Sequence, residues 1–220
     1  IRNKIRQKNY NFDLKLQTVG SIAGLTSLRR GESHLAGAHL LDPETGEYNI
    51  SYLRRFFKGQ KLVMLNLVHR EQGLYLKRGN PKNITEISDL TKKDVNYINR
   101  QRGAGTRVLF DYLLTQNKIE TAQISGYEKE EFTHIAAAAA VGRGSADVAL
   151  GIRAAAEVME VDFLPLAEEK YDLIFREEIL DDPRIQNLIN LINKEEIKNE
   201  IEKLGGYQCR DTGKIKILDL

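Results

Sequence analysis

A stretch that occurs twice places the strongest limit on how this chain can fold. Residues 30–38 read RGESHLAGA, and residues 143–151 read RGSADVALG. In each copy a helix that stops at a glycine is followed by a short apolar strand and a second glycine. The copies start about 110 residues apart, which predicts two similar α/β lobes rather than a single sheet.

Hydrophobic periodicity elsewhere fits the same architecture. We expect a polar helix over residues 1–10, an extended segment over 14–19 and a helix that begins at Ser21. The order recurs as an extended segment at 94–99, a glycine-bearing turn at 100–105 and a helix at 106–115. Further strands are predicted at 62–68, 74–77, 162–166 and 171–175, and one or two amphipathic helices within 183–204. This alternation predicts α/β lobes, each with a mostly parallel sheet flanked by helices.

The apolar runs mark where the chain crosses between lobes. We place lobe I at 1–69 together with 168–220, and lobe II at 70–167. The hinge crossings are then near 62–77 and 162–171. We expect a ligand to lie between the lobes.

Composition limits the classes of partner. The 33 Lys and Arg residues against 31 Asp and Glu residues leave a net charge of +2, which predicts neither membrane nor direct nucleic-acid binding. Cys209 is the only cysteine, so a reducing, cytoplasmic location is expected. No apolar run approaches the ~20 residues of a membrane span. Because the chain begins at Ile1 rather than Met, we expect it to be a fragment of a longer polypeptide.

The segment 99–107, NRQRGAGTR, predicts an anion site. Its glycines allow the backbone to approach a ligand, and a threonine is placed to cap the next helix, whose first N–H groups point toward the turn. Arginine adds a permanently charged fork that holds two oxygens at once. The residues that we assign to ligand binding here are Arg102, Gly103, Gly105, Thr106 and Arg107.

A second anion site is predicted in the first lobe, where Ser21 follows Gly20 at the start of a helix. We expect both turns to offer their donors to one shared oxyanion. His39, which opens an acidic turn at the mouth of the cleft, and Asp147 are added to the ligand-binding set. Because a fully deprotonated oxyanion only accepts hydrogen bonds, Asp147 is better placed as a partner of arginines or of turn backbone than in direct contact.

Other kinds of site find no support in the sequence. The P-loop and Rossmann glycine spacings are absent, and no serine lies in a G-x-S-x-G elbow. The four histidines have no zinc-ligand spacing. We therefore predict no catalytic residue, no metal and no cofactor.

Five stretches together resemble a known family. They are AGAHLLDPETGEYN (36–49), REQGLYLKRGNPKNI (70–84), INRQRGAGTR (98–107), SGYEKEEFTHIAAAAAVGRGSADVALGI (125–152) and DFLPLAEEKYDL (162–173). In this order they resemble the periplasmic-binding-protein-like domain that is fused to the molybdopterin biosynthesis protein MoeA or to helix-turn-helix segments. The resemblance implies a two-lobed type II binding fold. The family's usual first strand and its Gly-Ser-His-Asp-type turn are missing here.

The resemblance also implies a function. It implies a domain that senses or delivers a small oxyanion, molybdate or tungstate, in molybdenum cofactor biosynthesis or its regulation, with a MoeA-like or helix-turn-helix partner. The turn at 99–107 is similar to the arginine-glycine turn of tungstate-binding proteins.

Three alternatives stay open. In the first, carboxylates contact a ligand that donates hydrogen bonds, such as hydrogen phosphate or a pterin. In the second, the domain assists an enzyme that inserts metal into molybdopterin, with Arg102 and Asp147 acting on that chemistry. In the third, closure of the domain repositions a fused partner.

Overall fold

The computed structural model describes residues 1–7 and 12–220. Its α-helices are α1 Arg2–Gln7, α2 Ser21–Arg29, α3 Ile50–Phe56, α4 Gly105–Gln116, α5 His134–Gly142, α6 Arg153–Val158, α7 Pro183–Ile192 and α8 Glu195–Glu202. Its strands are β1 Ala36–Ala38, β2 Lys61–Leu76, β3 Tyr97–Arg100, β4 Glu130–Glu131, β5 Val148–Ile152, β6 Asp162–Arg176, β7 Tyr207–Gln208 and β8 Ile215–Asp219. Short 3-10 helices occur at Ile87–Thr91, Thr121–Gln123 and Glu177–Ile179.

The chain divides into two compact units. The first contains residues 1–39, 49–69 and 170–220, and the second contains 40–48 and 70–169. Residues 40–48, which the sequence analysis places in lobe I, belong to the second unit because Leu41 lies in that unit's core and Tyr48 packs against it. Strands β2 and β6 each contribute to both units.

The repeated stretch adopts the same helix ending in both copies. After α2, Gly31 has φ 73°, its N–H donates to Leu28 O at 3.1 Å, and Glu32 N donates to Ser27 O at 2.9 Å. After α5 the matching bonds are Gly144 N to Val141 O at 3.0 Å and Ser145 N to Ala140 O at 2.9 Å, with Gly144 at φ 78°. These are Schellman endings, in which glycine takes the left-handed conformation at low cost. The predicted helix, glycine and strand order is confirmed in both places.

The core of the first unit lies where helices cover a sheet. β1 pairs antiparallel with β6, and β8 pairs antiparallel with β2. One face packs on α1, α7 and α8 through the buried side chains Ile5, Val63, Leu65, Phe175, Ile185, Leu188, Ile189, Leu191, Ile192 and Ile197. The predicted helical region 183–204 is thus two helices whose apolar stripes face this core.

A buried carboxylate lies within the first unit. Asp172 is 2% exposed, and its oxygens accept hydrogen bonds from Asn49 Nδ2 at 2.8 Å and Asn66 Nδ2 at 2.9 Å. Burial raises the pKa of Asp172 above its ordinary value, and the two amide donors oppose that rise. The cluster joins the start of α3 to strands β2 and β6.

Asp211 links the end of the chain to β2, and its ionisation makes stability depend on pH. Its carboxylate accepts from Lys214 Nζ at 2.6 Å and lies 2.7 Å from His69 Nε2. These contacts hold the pKa of Asp211 at about 2, below its ordinary value of 3.8. Because the folded-state pKa is lowered, the stabilisation is complete above the ordinary value and is lost as the pH falls through about 2.

We therefore expect the gap in free energy of unfolding between the native chain and Asp211→Asn to shrink from about pH 4 to about pH 2. Urea unfolding at several pH values measures this gap. A gap that stays constant across that range would contradict the assignment.

The second unit has a core on each side of its strands. On one side α4 and the 3-10 helices cover a cluster that includes Leu74, Tyr97, Phe110 and Leu150. The Tyr97 and Phe110 rings stack with centroids 4.2 Å apart. On the other side the small side chains of α5 and α6 pack closely on Tyr75.

The sheets are mixed rather than mostly parallel. β3 pairs parallel with β4 and with β5, because helices carry the chain between successive strands. β2 and β6 instead carry the chain from one unit to the other, and they pair antiparallel with β5, β8 and β1. The α/β class and the type II two-unit fold are as predicted.

Several local expectations were wrong. No strand forms over 14–19, because these residues make no ladder bonds and most are exposed. The strands predicted at 62–68 and 74–77 are one strand, β2, and those at 162–166 and 171–175 are one strand, β6. Gly73 of β2 allows β6 to approach closely, since a Cβ there would lie 2.2 Å from Leu164 O. The first part of the helix predicted over 1–10 forms α1. Residues 8–10 of that prediction lie outside the described residues. No helix among the described residues is long and apolar enough to cross a membrane.

Candidate anion site

The turn between β3 and α4 forms as a glycine-dependent reverse turn. Ala104 N donates to Gln101 O at 3.1 Å, and Gly103 has φ 82°, which a glycine adopts at low cost. α4 then starts at Gly105 with Ala104 as its N-cap, and no side chain caps it. Thr106 is therefore not the N-cap as predicted, because the N-cap is Ala104, two residues earlier.

The start of α4 offers backbone donors. The first bond of the helical pattern from this turn is Val108 N to Ala104 O at 3.1 Å. The N–H groups of Gly105, Thr106 and Arg107 come before this bond, so no carbonyl within the helix accepts from them. They carry the positive end of the helix dipole, which favours an anion at this turn.

Arg100, at the end of β3, is the cation that the sequence analysis did not select. It is 6% exposed, and it donates to Glu131 O at 3.1 Å and to Phe132 O at 2.9 Å. Among residues 1–7 and 12–220, no carboxylate forms an ion pair with it, and its buried Nη1 has no hydrogen-bond partner. Burial lowers the pKa of Arg100 from its ordinary value. Glu169 interacts with Arg100 only at longer range and is itself paired with Arg70. A buried guanidinium with no carboxylate in direct contact favours an anion as its neighbour.

Arg107, which was predicted to bind the ligand, has a structural role instead. Its Nη1 lies 3.0 Å from Glu130 Oε1 and 3.3 Å from Arg100 O. Its guanidinium also stacks over the Tyr127 ring at 4.2 Å. These contacts hold the turn against β4. The Arg107 guanidinium is thus already paired within the protein.

Arg102, the second predicted arginine, lies on the surface. Its side chain is 77% exposed and pairs with Glu128, itself exposed, at 3.0 Å. An exposed pair of this kind contributes little free energy. Arg102 is the second residue of the reverse turn, and its guanidinium lies in solvent instead of beside the start of α4.

Two glutamines also border the turn. Gln72, fully buried on β2, donates from Nε2 to Thr106 Oγ1 at 3.4 Å, a long hydrogen bond. The buried Oε1 atoms of Gln72 and Gln101 have no partner among the described residues. Beside them the buried Arg70 and Glu169 form an ion pair. The polar run at 69–72, HREQ, interrupts an otherwise mostly apolar strand, and it is the sequence signal that could have revealed this part of the site.

Asp147 lies away from this turn. Its carboxylate accepts from Asn96 N at 2.8 Å, just before β3 begins, whereas the turn follows the end of β3. With β3 and β5 parallel, the two places are ~13 Å apart along the strands. Asp147 thus caps the backbone before β3, away from the turn that follows this strand, and its place in the ligand set stays a prediction that this contact does not favour.

In the first unit the structure brings Ser21 and His39 together. Gly20, with φ 84°, is the N-cap of α2, and Ser21 is its first helical residue. Ser21 Oγ accepts from His39 N at 3.3 Å, which leaves the hydroxyl hydrogen to donate elsewhere. The His39 ring stacks on Tyr171 with centroids 5.3 Å apart. That Ser21 shares a ligand with the turn after β3 stays a prediction.

The described residues contain no group of three or more His, Cys, Asp or Glu side chains that could hold a metal ion. The site combines the backbone donors of α4 and the Arg100 guanidinium with two glutamine oxygens, and the paired carboxylates of Glu169 and Glu130 lie beside it.

A family model described as a PBP superfamily domain matches residues 2–193. The chain therefore belongs to this superfamily of two-unit solute-binding domains. It is 36% identical over 196 residues to the uncharacterized protein YvgK of Bacillus subtilis, covering 89% of this chain and 63% of that one. The chain thus spans less than two thirds of the length of this relative.

Solved structures share the fold at low identity. A putative phosphate ABC transporter substrate-binding protein with bound phosphate from Clostridium perfringens matches with a TM-score of 0.70 and 13% identity, over 94% of this chain and 91% of that one. The tungstate ABC transporter structure from Geobacter sulfurreducens matches with a TM-score of 0.64 and 13% identity, over 91% and 89%. At these identities the likeness shows the fold alone.

Proposed function

We propose that this chain is a non-catalytic binding domain for a small oxyanion, held at the end of β3 in the second unit. The observation that carries the proposal is Arg100, a buried guanidinium with which no carboxylate of the described residues forms an ion pair. The uncapped start of α4 adds backbone donors close by in the chain. An oxyanion accepts hydrogen bonds from both, and its charge offsets that of Arg100.

The rest of the turn positions these donors. The Arg107 contacts with Glu130 and Tyr127 hold the beginning of α4 against β4. Gly103 supplies the positive φ that reverses the chain between Arg100 and α4. Donors fixed in this way need little reorganisation when a ligand binds, which favours affinity.

For the ligand itself we propose molybdate or tungstate, in a domain that senses or delivers the ion for molybdenum cofactor biosynthesis or its regulation. The resemblance of segment 99–107 to tungstate-binding proteins supports this choice, and a tungstate transporter structure shares the fold. We propose a cytoplasmic location and a fused or associated MoeA-like or helix-turn-helix partner.

One observation favours a second candidate. The buried Oε1 atoms of Gln72 and Gln101 are acceptors without a partner among the described residues, and a fully ionised oxyanion offers them no donor. Hydrogen phosphate or a pterin would donate to them. The phosphate-bound protein of the same fold is in keeping with this alternative.

Titration calorimetry with tungstate, molybdate, phosphate and sulfate separates the candidates. We expect saturable 1:1 binding, with tungstate and molybdate tighter than sulfate and phosphate. Phosphate tighter than tungstate would replace the first candidate with the second, and so would heat from a reduced pterin titrated in parallel when none of the anions binds. No heat with any of the four anions would overturn the oxyanion assignment.

A further inference from the structure

A cavity of about 250 Å³ lies in the first unit, apart from the anion site. Strands β2, β6 and β8 and the loop before β8 form its walls, with the side chains of Met64, Asn66, Lys170, Asp172, Asp211, Lys214, Ile215 and Lys216. All of these residues belong to the first unit. Pockets for drug-sized ligands are roughly 300–1,000 Å³, so this cavity suits a smaller molecule.

The pairing of the strands places the polar groups of the cavity on one face of the sheet. Met64 pairs with Lys216 across the β2–β8 ladder, and Asn66 follows two residues later on the same face. On the neighbouring strand β6, Asp172 accepts a hydrogen bond from Asn66 Nδ2 at 2.9 Å, and Lys170 lies two residues before it. Asn66 and Asp172 are buried, whereas the two lysines reach the surface.

The buried part of the cavity contains acceptors that call for a cationic donor. Asn66 is 6% exposed, and its Oδ1 has no hydrogen-bond partner in the described part of the chain. The hydrogen bonds to Asp172 come from the neutral amides of Asn49 and Asn66, and the cations Lys170 and His69 act on it only at longer range. Burial raises the pKa of Asp172, and a cation in direct contact would offset that cost.

The rim of the cavity calls for the opposite charge. Lys170 and Lys216 form no ion pair within residues 1–7 and 12–220, whereas Lys214 is already paired with Asp211 at 2.6 Å. Two lysines repel a metal ion or a polyamine. A simple oxyanion gains nothing from the buried acceptors, because it has no hydrogen to donate to them. A ligand that carries both an ammonium and a carboxylate satisfies both sets of groups.

We propose that this cavity binds a free α-amino acid, whose ammonium donates to Asp172 and to Asn66 Oδ1 while its carboxylate lies beside the two rim lysines. The apolar side chains of Met64 and Ile215 complete the lining, which favours an amino acid with a neutral, apolar side chain. The proposal is independent of the oxyanion site, which lies in the second unit and uses Arg100.

Titration calorimetry with L-leucine and L-methionine tests the proposal. We expect saturable binding of one molecule per chain. Isocaproate is leucine without its ammonium, and isoamylamine is leucine without its carboxylate. Each should bind at least about tenfold more weakly than leucine, because each loses the charge-assisted hydrogen bonds of one end. The affinity for leucine should be the same in the presence of millimolar tungstate, which the proposed function directs to the other unit.

Variants locate the bound amino acid. Asp172→Asn removes the buried charge and should weaken leucine binding by about tenfold or more. Because this residue is buried, the exposed side of the cavity provides a second test that leaves the core intact. Lys170→Gln/Lys216→Gln should weaken binding by about threefold to about tenfold. The matched control, Lys58→Gln/Lys61→Gln, removes two exposed lysines of the same unit that lie outside the cavity, and it should bind leucine like the native chain.

Four outcomes would overturn the proposal. They are no heat with either amino acid at millimolar concentration, an analogue that binds as tightly as leucine, equal losses in the two lysine double variants, and loss of leucine binding in tungstate. The last would mean that the amino acid enters the oxyanion site instead. Failure of the oxyanion panel with leucine binding intact would reject only the proposed function.

Discussion

Changing Arg100 to glutamine is expected to weaken binding of the tightest anion in the calorimetric panel by about tenfold to about a hundredfold. A hydrogen bond from a charged donor is worth about 1.5–3 kcal/mol, and Arg100→Gln removes the charge while keeping an amide donor. The physical reason is that Arg100 is buried without a carboxylate partner among the described residues. Calorimetry on the variant, with circular dichroism to verify folding, measures the loss.

The same substitution at Arg102 is the matched control. Arg102 is 77% exposed and pairs only with exposed Glu128, so Arg102→Gln should change affinity by less than about threefold. Equal losses at the two positions, or a larger loss at Arg102, would return the site to the residue that sequence reasoning selected.

The largest expected effect on stability comes from Gly126→Ala. Gly126 has φ 85°, and a Cβ there would lie 2.1 Å from Tyr97 O, a backbone atom of β3 that cannot move aside cheaply. The left-handed conformation costs about 1–2 kcal/mol and the overlap about 1–3 kcal/mol more. We expect the free energy of unfolding, measured in urea, to fall by about 2–5 kcal/mol.

Gly79→Ala separates the two costs. Gly79 has φ 78°, but nothing lies within 4 Å of the added Cβ, so only the backbone cost of about 1–2 kcal/mol applies. Equal losses for the two variants would show that the approach of Tyr97 O to Gly126 contributes nothing.

Sequence reasoning selected the segment of the proposed site but chose Arg102 and Arg107, whereas the structure favours Arg100. NRQRGAGTR does form a turn with positive φ at Gly103, followed directly by a helix. What assigns each arginine its role is a set of residues about thirty positions away, Glu128, Glu130, Glu131 and Phe132. No local pattern shows which carboxylate will reach which guanidinium.

Two polar residues illustrate the same limit, one selected from the sequence and one overlooked. Asp147 reads as part of a glycine-rich repeat, yet the parallel pairing of β3 and β5 places it at the end of β3 opposite to the turn. Gln72 carries no motif, and it joins the site only because β2 runs beside Thr106.

The amino-acid sequence by itself determined the α/β class, the twofold helix-to-strand unit and the turn before α4. These depend on local rules, namely apolar periodicity and the left-handed conformation that only glycine adopts cheaply, as at Gly31 and Gly144. Only the tertiary structure decided that Arg100 is buried without a counter-ion while Arg107 is neutralised. Burial and ion pairing depend on segments that are distant in the chain, and the free energy of a charge depends on both.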